Sequence, residues 1–470
     1  MKIGMLLEKL IDVAKKPKTD FALSMNMTPS GLSKILTGKR VPLMKERKAF
    51  TRQAAHYFAE AIYSPGCYLK FANLFPVIYD FESQEELQTF LSSAIAFALD
   101  NSFSEENSLN LSFTDRGLYY LGRKPVLNQL CIILSDQLVS CPCEPAELFA
   151  SLPLRDPVYF KIFHRLVFLE YKKPENIVLN YYFGDDFING PNGIEATDFL
   201  HFISTLQKHA DLNFYQSNHD SGHFLLWKGQ FLLLFNTQID GAPLLVPICH
   251  KSYLNVFYNV LMRKGSTKAS YSTGEAIAFL ESNPQIITAL QSRKVDGVYN
   301  FMSIGYLLNK QELEATQSSP LVCDFISKLF TRVLSTQTTF VVSMAAMDRF
   351  SSLGRAIVPL IGAIPFPPEL RVDYLRRFDA YLSESNYDKL KIVDSGFSNI
   401  AVLVSQGLCL IYTLDDTFQR EKTHVFHSPR LGSLIDKELC ASDRVIADFT
   451  KDLWNAYQEE LLNTGLDHNR

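Results

Sequence analysis

Phe224-Leu-Leu-Trp-Lys-Gly-Gln-Phe-Leu-Leu-Leu234 is two apolar runs around one glycine, and 178 residues later the pattern returns as Val402-Leu-Val-Ser-Gln-Gly-Leu-Cys-Leu-Ile-Tyr412. Short apolar runs bounded by turn residues read as buried strands, with Gly229 and Gly407 as the turns of two hairpins. The same shift lays Leu212–Ser217 over Leu390–Ser395 and brings Val246–His250 near His424–Ser428; a helical pattern follows in both places. Upstream, Pro157–Phe183 falls on Pro320–Ala346 at a shift of 163, so the second copy carries 15 extra residues, around Ser351–Pro368. Helix, strand, helix, strand, hairpin, strand and helix in one order, twice, predict an internally duplicated α/β body. Strands rich in Val, Ile, Leu and Phe on both faces call for helices to cover them. Two such halves are expected to pack about a pseudo-twofold axis and leave a cleft suited to a small molecule.

The repeat units are read as residues 156–265 and 318–442, joined by a helical linker at 266–317. Residues 65–155 read as a helical connector, with helices at Gln84–Leu99 and Pro125–Leu138 and a polar loop at Asn101–Asn110. Within residues 443–470, Ile446, Phe449, Leu453, Trp454, Tyr457 and Leu461 make one stripe, which predicts a closing helix. The expected fold class is therefore α+β multidomain: a small all-α head, a helical connector and a large duplicated α/β body.

The whole chain of 470 residues carries a net charge of only −4, but the charge is divided. Residues 1–65 hold 12 Lys and Arg against 5 Asp and Glu, a net of +7; the rest holds 34 against 45, a net of −11. A basic head on an acidic body suggests that the head meets a polyanion. Residues 1–64 read as short helices. Ile3, Leu6, Leu7, Leu10, Ile11 and Ala14 form one apolar stripe, and Pro17 ends that helix. Thr19 is read as the cap of a second helix, which carries Phe21, Ala22 and Met25. Asn26 tolerates the left-handed turn that follows. Thr28 caps a third helix with Pro29 in its first position, Leu32 and Ile35 face inward, and Gly38 stops it. A fourth helix is expected from about Leu43 to Tyr63.

Phe21-Ala-Leu-Ser-Met-Asn-Met-Thr-Pro-Ser-Gly-Leu-Ser-Lys-Ile-Leu-Thr-Gly-Lys39 resembles the Cro/C1 (XRE) helix-turn-helix family of bacterial transcriptional regulators. Ala22 stands at the close helix contact, Asn26 replaces the usual turn glycine, and Ser33-Lys34 and Gly38-Lys39 continue the match. Lys18, where the family often has Gln, and Gly31 inside the third helix depart from it. The resemblance covers the head alone. It implies that the third helix enters the DNA major groove, with Pro29, Ser30, Ser33 and Lys34 against base edges. Lys18, Thr37, Lys39 and Arg40 would then meet phosphates; the alternative for any one of the lysines is a solvated surface charge. The resemblance further implies a homodimer on an inverted-repeat stretch of double-stranded DNA.

Elsewhere the chemistry is sparse. There is no Walker A motif, no Gly-x-Gly-x-x-Gly after a strand, no His-Glu-x-x-His and no Gly-x-Ser-x-Gly, so neither an enzyme nor a cofactor is expected. His219 and His223 have three residues between them, but Ser221-Gly222 makes that stretch a polar loop rather than a metal site. Asp185-Asp186 and Asp415-Asp416 end strands and read as turn residues. Of the eight cysteines only Cys141 and Cys143 are close, in a spacing that suits neither zinc nor redox chemistry; most of the others read as reduced, buried hydrophobes. Tyr181, Tyr182, Phe214, Tyr215, Phe257 and Tyr258 are candidates to line a pocket for a small-molecule or peptide effector. Met1–Lys16 is charged and amphipathic, unlike a signal peptide. No apolar run approaches the ~18–20 residues that span a bilayer, so a cytoplasmic protein without membrane contact is expected. The preferred reading is a DNA-binding regulator with a sensing and dimerising body. The alternatives are an effector enzyme or a protein-interaction scaffold that uses the head for targeting or autorepression.

Overall fold

The computed structural model describes residues 1–64, 66–106, 119–140, 146–152, 157–167, 177–189, 194–217, 222–238, 241–263, 265–335, 338–343, 345–346, 354–365, 367–383, 390–393, 395–415, 420–440, 445–448, 452, 455–456 and 459. The chain divides into two compact units, Met1–Asn180 with Ser221–Gly265, and Tyr181–Asp220 with Ser266–Arg470. Helices and sheets are mixed throughout, and among the described residues no helix is long and apolar enough to cross a membrane.

The first unit opens with four helices, α1 (Ile3–Ala14), α2 (Lys18–Ser24), α3 (Pro29–Leu36) and α4 (Arg47–Ile62). After the single turn α5 (Cys67–Lys70), α6 (Gln84–Glu106) packs along α1 and α4. Arg47 donates to Asp100 at 2.9 Å, and its guanidinium lies 4.8 Å from the centre of the Phe103 ring. Head and connector thus share a core. The expected loop at 101–110 is helical as far as Glu106; its remainder lies outside the described residues. Tertiary contact explains the helix. Buried Ser102 donates to the Ala98 carbonyl and accepts the Ile3 N–H, both at 2.9 Å, so a polar stretch is held helical from two sides.

Beyond Glu106 one succession of elements occurs twice. The first round is β1 (Tyr120–Leu121), α7 (Arg123–Ser140), β2 (Ala146–Ala150), α8 (Pro157–Val167), β3 (Ile177–Phe183), α9 (Asp185–Asn189), α10 (Ala196–Gln207), β4 (Asp211–Gln216), β5 (Phe224–Trp227), β6 (Phe231–Thr237), β7 (Pro243–Ile248), α11 (Lys251–Arg263) and β8 (Thr267–Lys268). The second is β9 (Ser270–Ser272), α12 (Thr273–Ser282), α13 (Pro284–Ser292), β10 (Gly297–Asn300), α14 (Lys310–Glu314), α15 (Pro320–Ser335), β11 (Thr339–Ser343), β12 (Arg355–Val358), β13 (Gly362–Pro365), α16 (Pro368–Ser383), β14 (Leu390–Val393), β15 (Ile400–Ser405), β16 (Leu408–Leu414), β17 (Glu421–His427), α17 (Pro429–Leu439) and β18 (Val445–Asp448). The 15 extra residues hold the hairpin β12–β13, a two-stranded sheet of its own.

Each round builds an eight-stranded sheet, and the strand orders correspond one for one: β1-β7-β6-β5-β2-β3-β4-β8 and β9-β17-β16-β15-β10-β11-β14-β18. In the second sheet β10–β11 and β11–β14 are parallel and the other pairs antiparallel. Both expected hairpin turns are present. Gly229 has φ +75°, and Gln406-Gly407, at φ +46° and +81°, is a two-residue turn of the primed kind that matches strand twist.

Several boundaries differ from the sequence reading. The connector contains strands β1 and β2, and the helical linker contains β8, β9 and β10. These strands have two to five residues, too few to show a period, and only sheet pairing makes them extended. Val445–Asp448, expected in the closing helix, is β18, antiparallel to β14, whose free edge it pairs. Of that helix only residues 452, 455–456 and 459 are described, and they are helical. Within the second unit, Ala269 donates to Phe214 of β4 at 2.8 Å and accepts from Val425 of β17 at 2.7 Å. This junction joins edges that do not correspond in the two sheets.

Candidate nucleic-acid interface

The head presents its polar residues from a small apolar core. Phe21, Ala22 and Met25 of α2 and Leu32 and Ile35 of α3 are buried, and the Phe21 ring centre lies 4.7 Å from Phe58 and 5.3 Å from Tyr57 of α4. Asn26 turns the chain at φ +52°, and the Thr28 side chain accepts the Gly31 N–H at 3.1 Å with Pro29 in the first helical position. Two local readings shift. α2 starts one residue before Thr19, with Pro17 in the cap position, and α4 starts at Arg47 rather than Leu43. Pro17 holds the extended conformation a cap needs, and Thr19 is left to donate to Asp20. Gly4 carries a constraint that the sequence reading missed. A Cβ there would lie 2.3 Å from the Leu36 carbonyl oxygen, because α1 crosses the end of α3 with no room for a side chain.

All eight residues assigned to DNA are exposed: Pro29, Ser30, Ser33 and Lys34 on α3, and Lys18, Thr37, Lys39 and Arg40 beside it. Two of them are already engaged. Lys18 Nζ donates to Glu8 at 2.7 Å, which raises the pKa of this exposed amine, and the Thr37 hydroxyl donates to the Ser33 carbonyl at 2.8 Å. Lys34, Lys39 and Arg40 make no ion pair among the described residues. Leu23, Leu43 and Met44 add exposed apolar surface to the same head.

The six aromatic candidates for an effector pocket do not come together. Tyr181 and Phe214 are core, with ring centres 5.9 Å apart, in a cluster that includes Phe199, Phe202 and Phe426. Tyr182 stacks on Tyr215 at 5.0 Å. Phe257 and Tyr258 belong to the first unit, where they meet Phe224 and Phe149 at 5.2 and 5.4 Å. None of the six lines the apolar cavity of ≈ 400 Å³ in the second unit. Asn283-Pro284 marks in the sequence only where the helix beside that cavity breaks.

His223 meets the Ser151 carbonyl through Nδ1 at 2.5 Å; His219 lies outside the described residues. Asp415 caps a turn by accepting the Arg420 N–H at 3.0 Å, and Asp185 opens α9. Among the described residues no three His, Cys, Asp or Glu side chains gather as metal ligands would. Cys67, Cys131, Cys323 and Cys409 are buried, and burial pushes the Cys131 thiol up to about 12. Cys141 and Cys143 lie outside the described residues. No protein-family model matches this chain, and no curated protein sequence does so either.

Proposed function

We propose that this chain is a sequence-specific regulator of transcription that acts in the cytoplasm and binds double-stranded DNA through α2 and α3. The observation that carries the reading is the division of the α3 surface. Leu32 and Ile35 are buried, while Ser30, Ser33 and Lys34 project from the face opposite the head's core, next to exposed Lys39 and Arg40. The left-handed turn at Asn26 and the Thr28 cap are the local geometry that a helix-turn-helix of the Cro/C1 kind requires. The body is a tandem duplication in this reading; the matching strand orders of the two sheets support it.

The regulator is a homodimer in this proposal, and the contact is offered by α11. Tyr253, Val256 and Val260 form an exposed apolar stripe along that helix. The matching helix α17 instead packs on α9 and α10, and its Glu438, at the position matching Val260, accepts the Ala196 and Thr197 N–H groups at 3.2 and 2.8 Å. A second copy supplies the missing cover for α11, and a two-fold contact in which each copy covers the other's α11 closes a dimer.

The test is binding of the full chain to promoter fragments over a range of salt. Specific binding that weakens with salt and is lost in the double variant Ser30→Ala, Lys34→Ala supports the proposal. Unchanged specific affinity in that variant refutes it.

A further inference from the structure

We infer that the second unit holds a binding site for an apolar small molecule with an acidic group, in the ≈ 400 Å³ cavity between the sheet β15–β16–β17 and the helices α12 and α15. The site rests on a difference between the two rounds of the fold, and it does not depend on what the head binds. In the first round the connection from edge strand to central strand is α7, an unbroken helix of 18 residues that packs on β1 and β7. It buries Val126, Leu127, Leu130, Leu134 and Leu138. In the second round the same connection has nearly the same length but is cut in two, α12 of 10 residues and α13 of 9, at Asn283-Pro284. Proline has no N–H to continue a helix, and its ring excludes the preceding turn. α12 keeps the place of α7, on β9 and β17, and α13 packs on α15. Where α7 covers its sheet without interruption, the second sheet carries a cavity.

The lining defines the ligand class. Leu403, Leu410 and Val425 from the sheet, Phe279 and Leu280 from α12 and Phe330 from α15 make an almost wholly hydrocarbon wall. Pockets of a few hundred Å³ with such walls suit drug-sized apolar molecules, oriented by a few polar groups. Here those groups favour an anion. Among the described residues Arg293 is the one lining residue with a permanent charge, it makes no ion pair, and no Asp or Glu lines the wall. Tyr306 is 8% exposed, yet its hydroxyl has no hydrogen-bond partner among the described residues. A guanidinium and a phenol both donate, and a carboxylate accepts from both. The Tyr412 hydroxyl, by contrast, already donates to Glu421 at 2.6 Å.

Calorimetric titration of the full-length protein with decanoate, 2-naphthoate, decan-1-ol and decylamine, each below its aggregation limit, tests the site. Saturable 1:1 binding of at least one of the acids, with decylamine inert, is expected. Leu403→Trp fills the cavity and abolishes that binding; Ala276→Phe, a milder filling from α12, weakens it at least tenfold, and thermal unfolding shows that each variant is folded. Arg293→Met weakens the acid at least tenfold and leaves decan-1-ol unmoved. Absence of binding by both acids, or binding that a folded filling variant leaves unchanged, overturns the site. Wild-type affinity for the acid in Arg293→Met overturns the acidic ligand class.

Discussion

His424 Nδ1 and Ser270 Oγ lie 2.7 Å apart in the interior of the second unit, beneath the ring of Phe214. The Ser270 oxygen also accepts the Phe214 N–H at 2.7 Å. His424 Nε2 has no hydrogen-bond partner among the described residues. Burial, with a contribution from Lys422, depresses its pKa from 6.5 to about 3.

A depressed pKa on a base means that the unfolded chain binds the proton first. The stabilisation is complete above about 6.5 and falls by about 1.4 kcal/mol per pH unit as the pH drops toward 3. Denaturant unfolding of wild type and His424→Phe at pH 7.5, 6 and 5 measures this. The wild type should lose stability across the series, and the variant should lose less. Parallel losses would show that another group titrates.

The engagement of Lys18 with Glu8 sets an order among the DNA-facing cations. Lys39→Ala should lower the salt slope of DNA binding by about 0.9, the value for one phosphate contact. Lys18→Ala should lower it by less, because Glu8 already competes for that amine. Glu8→Gln should strengthen binding to all sequences alike. Lys34→Ala should cost about 1–3 kcal/mol and relax preference at one base position.

Two backbone positions in the head should resist added side chains. Asn26→Gly keeps the left-handed turn and should leave the thermal midpoint nearly unmoved, whereas Asn26→Val should cost about 1–2 kcal/mol. Gly4→Ala drives a methyl group into the Leu36 carbonyl and should cost about 1–3 kcal/mol. Chemical denaturation reads all three, and a neutral Gly4→Ala would show that α1 can shift away from α3.

The exposed stripe on α11 gives the dimer proposal a direct check. Val256→Asp should move sedimentation from dimer to monomer while folding stability stays within about 0.5 kcal/mol, as for other exposed positions. A variant that remains dimeric places the contact elsewhere.

What could be read without coordinates was local. The apolar stripe of α1, the Asn26 turn, the Thr28 cap and the Gly229 and Gly407 hairpins each depend on residues within a few positions of one another, where propensity and periodicity act. The order of the duplicated elements was legible for the same reason, since each hairpin and helix announced itself separately. Gly4 was not: its constraint comes from a carbonyl 32 positions away.

The sequence by itself determined the helices of the head, the division of charge between head and body, and the repeated order of the longer strands and helices. Tertiary structure alone decided that strands as short as β1, β8 and β10 exist, that Val445–Asp448 is extended, and that an apolar cavity stands between α12, α15 and the second sheet. The physical reason is common to all three. A strand of two to four residues is held by partners distant in sequence, and a cavity is the place that no side chain reaches, so neither leaves a period in the chain that forms it.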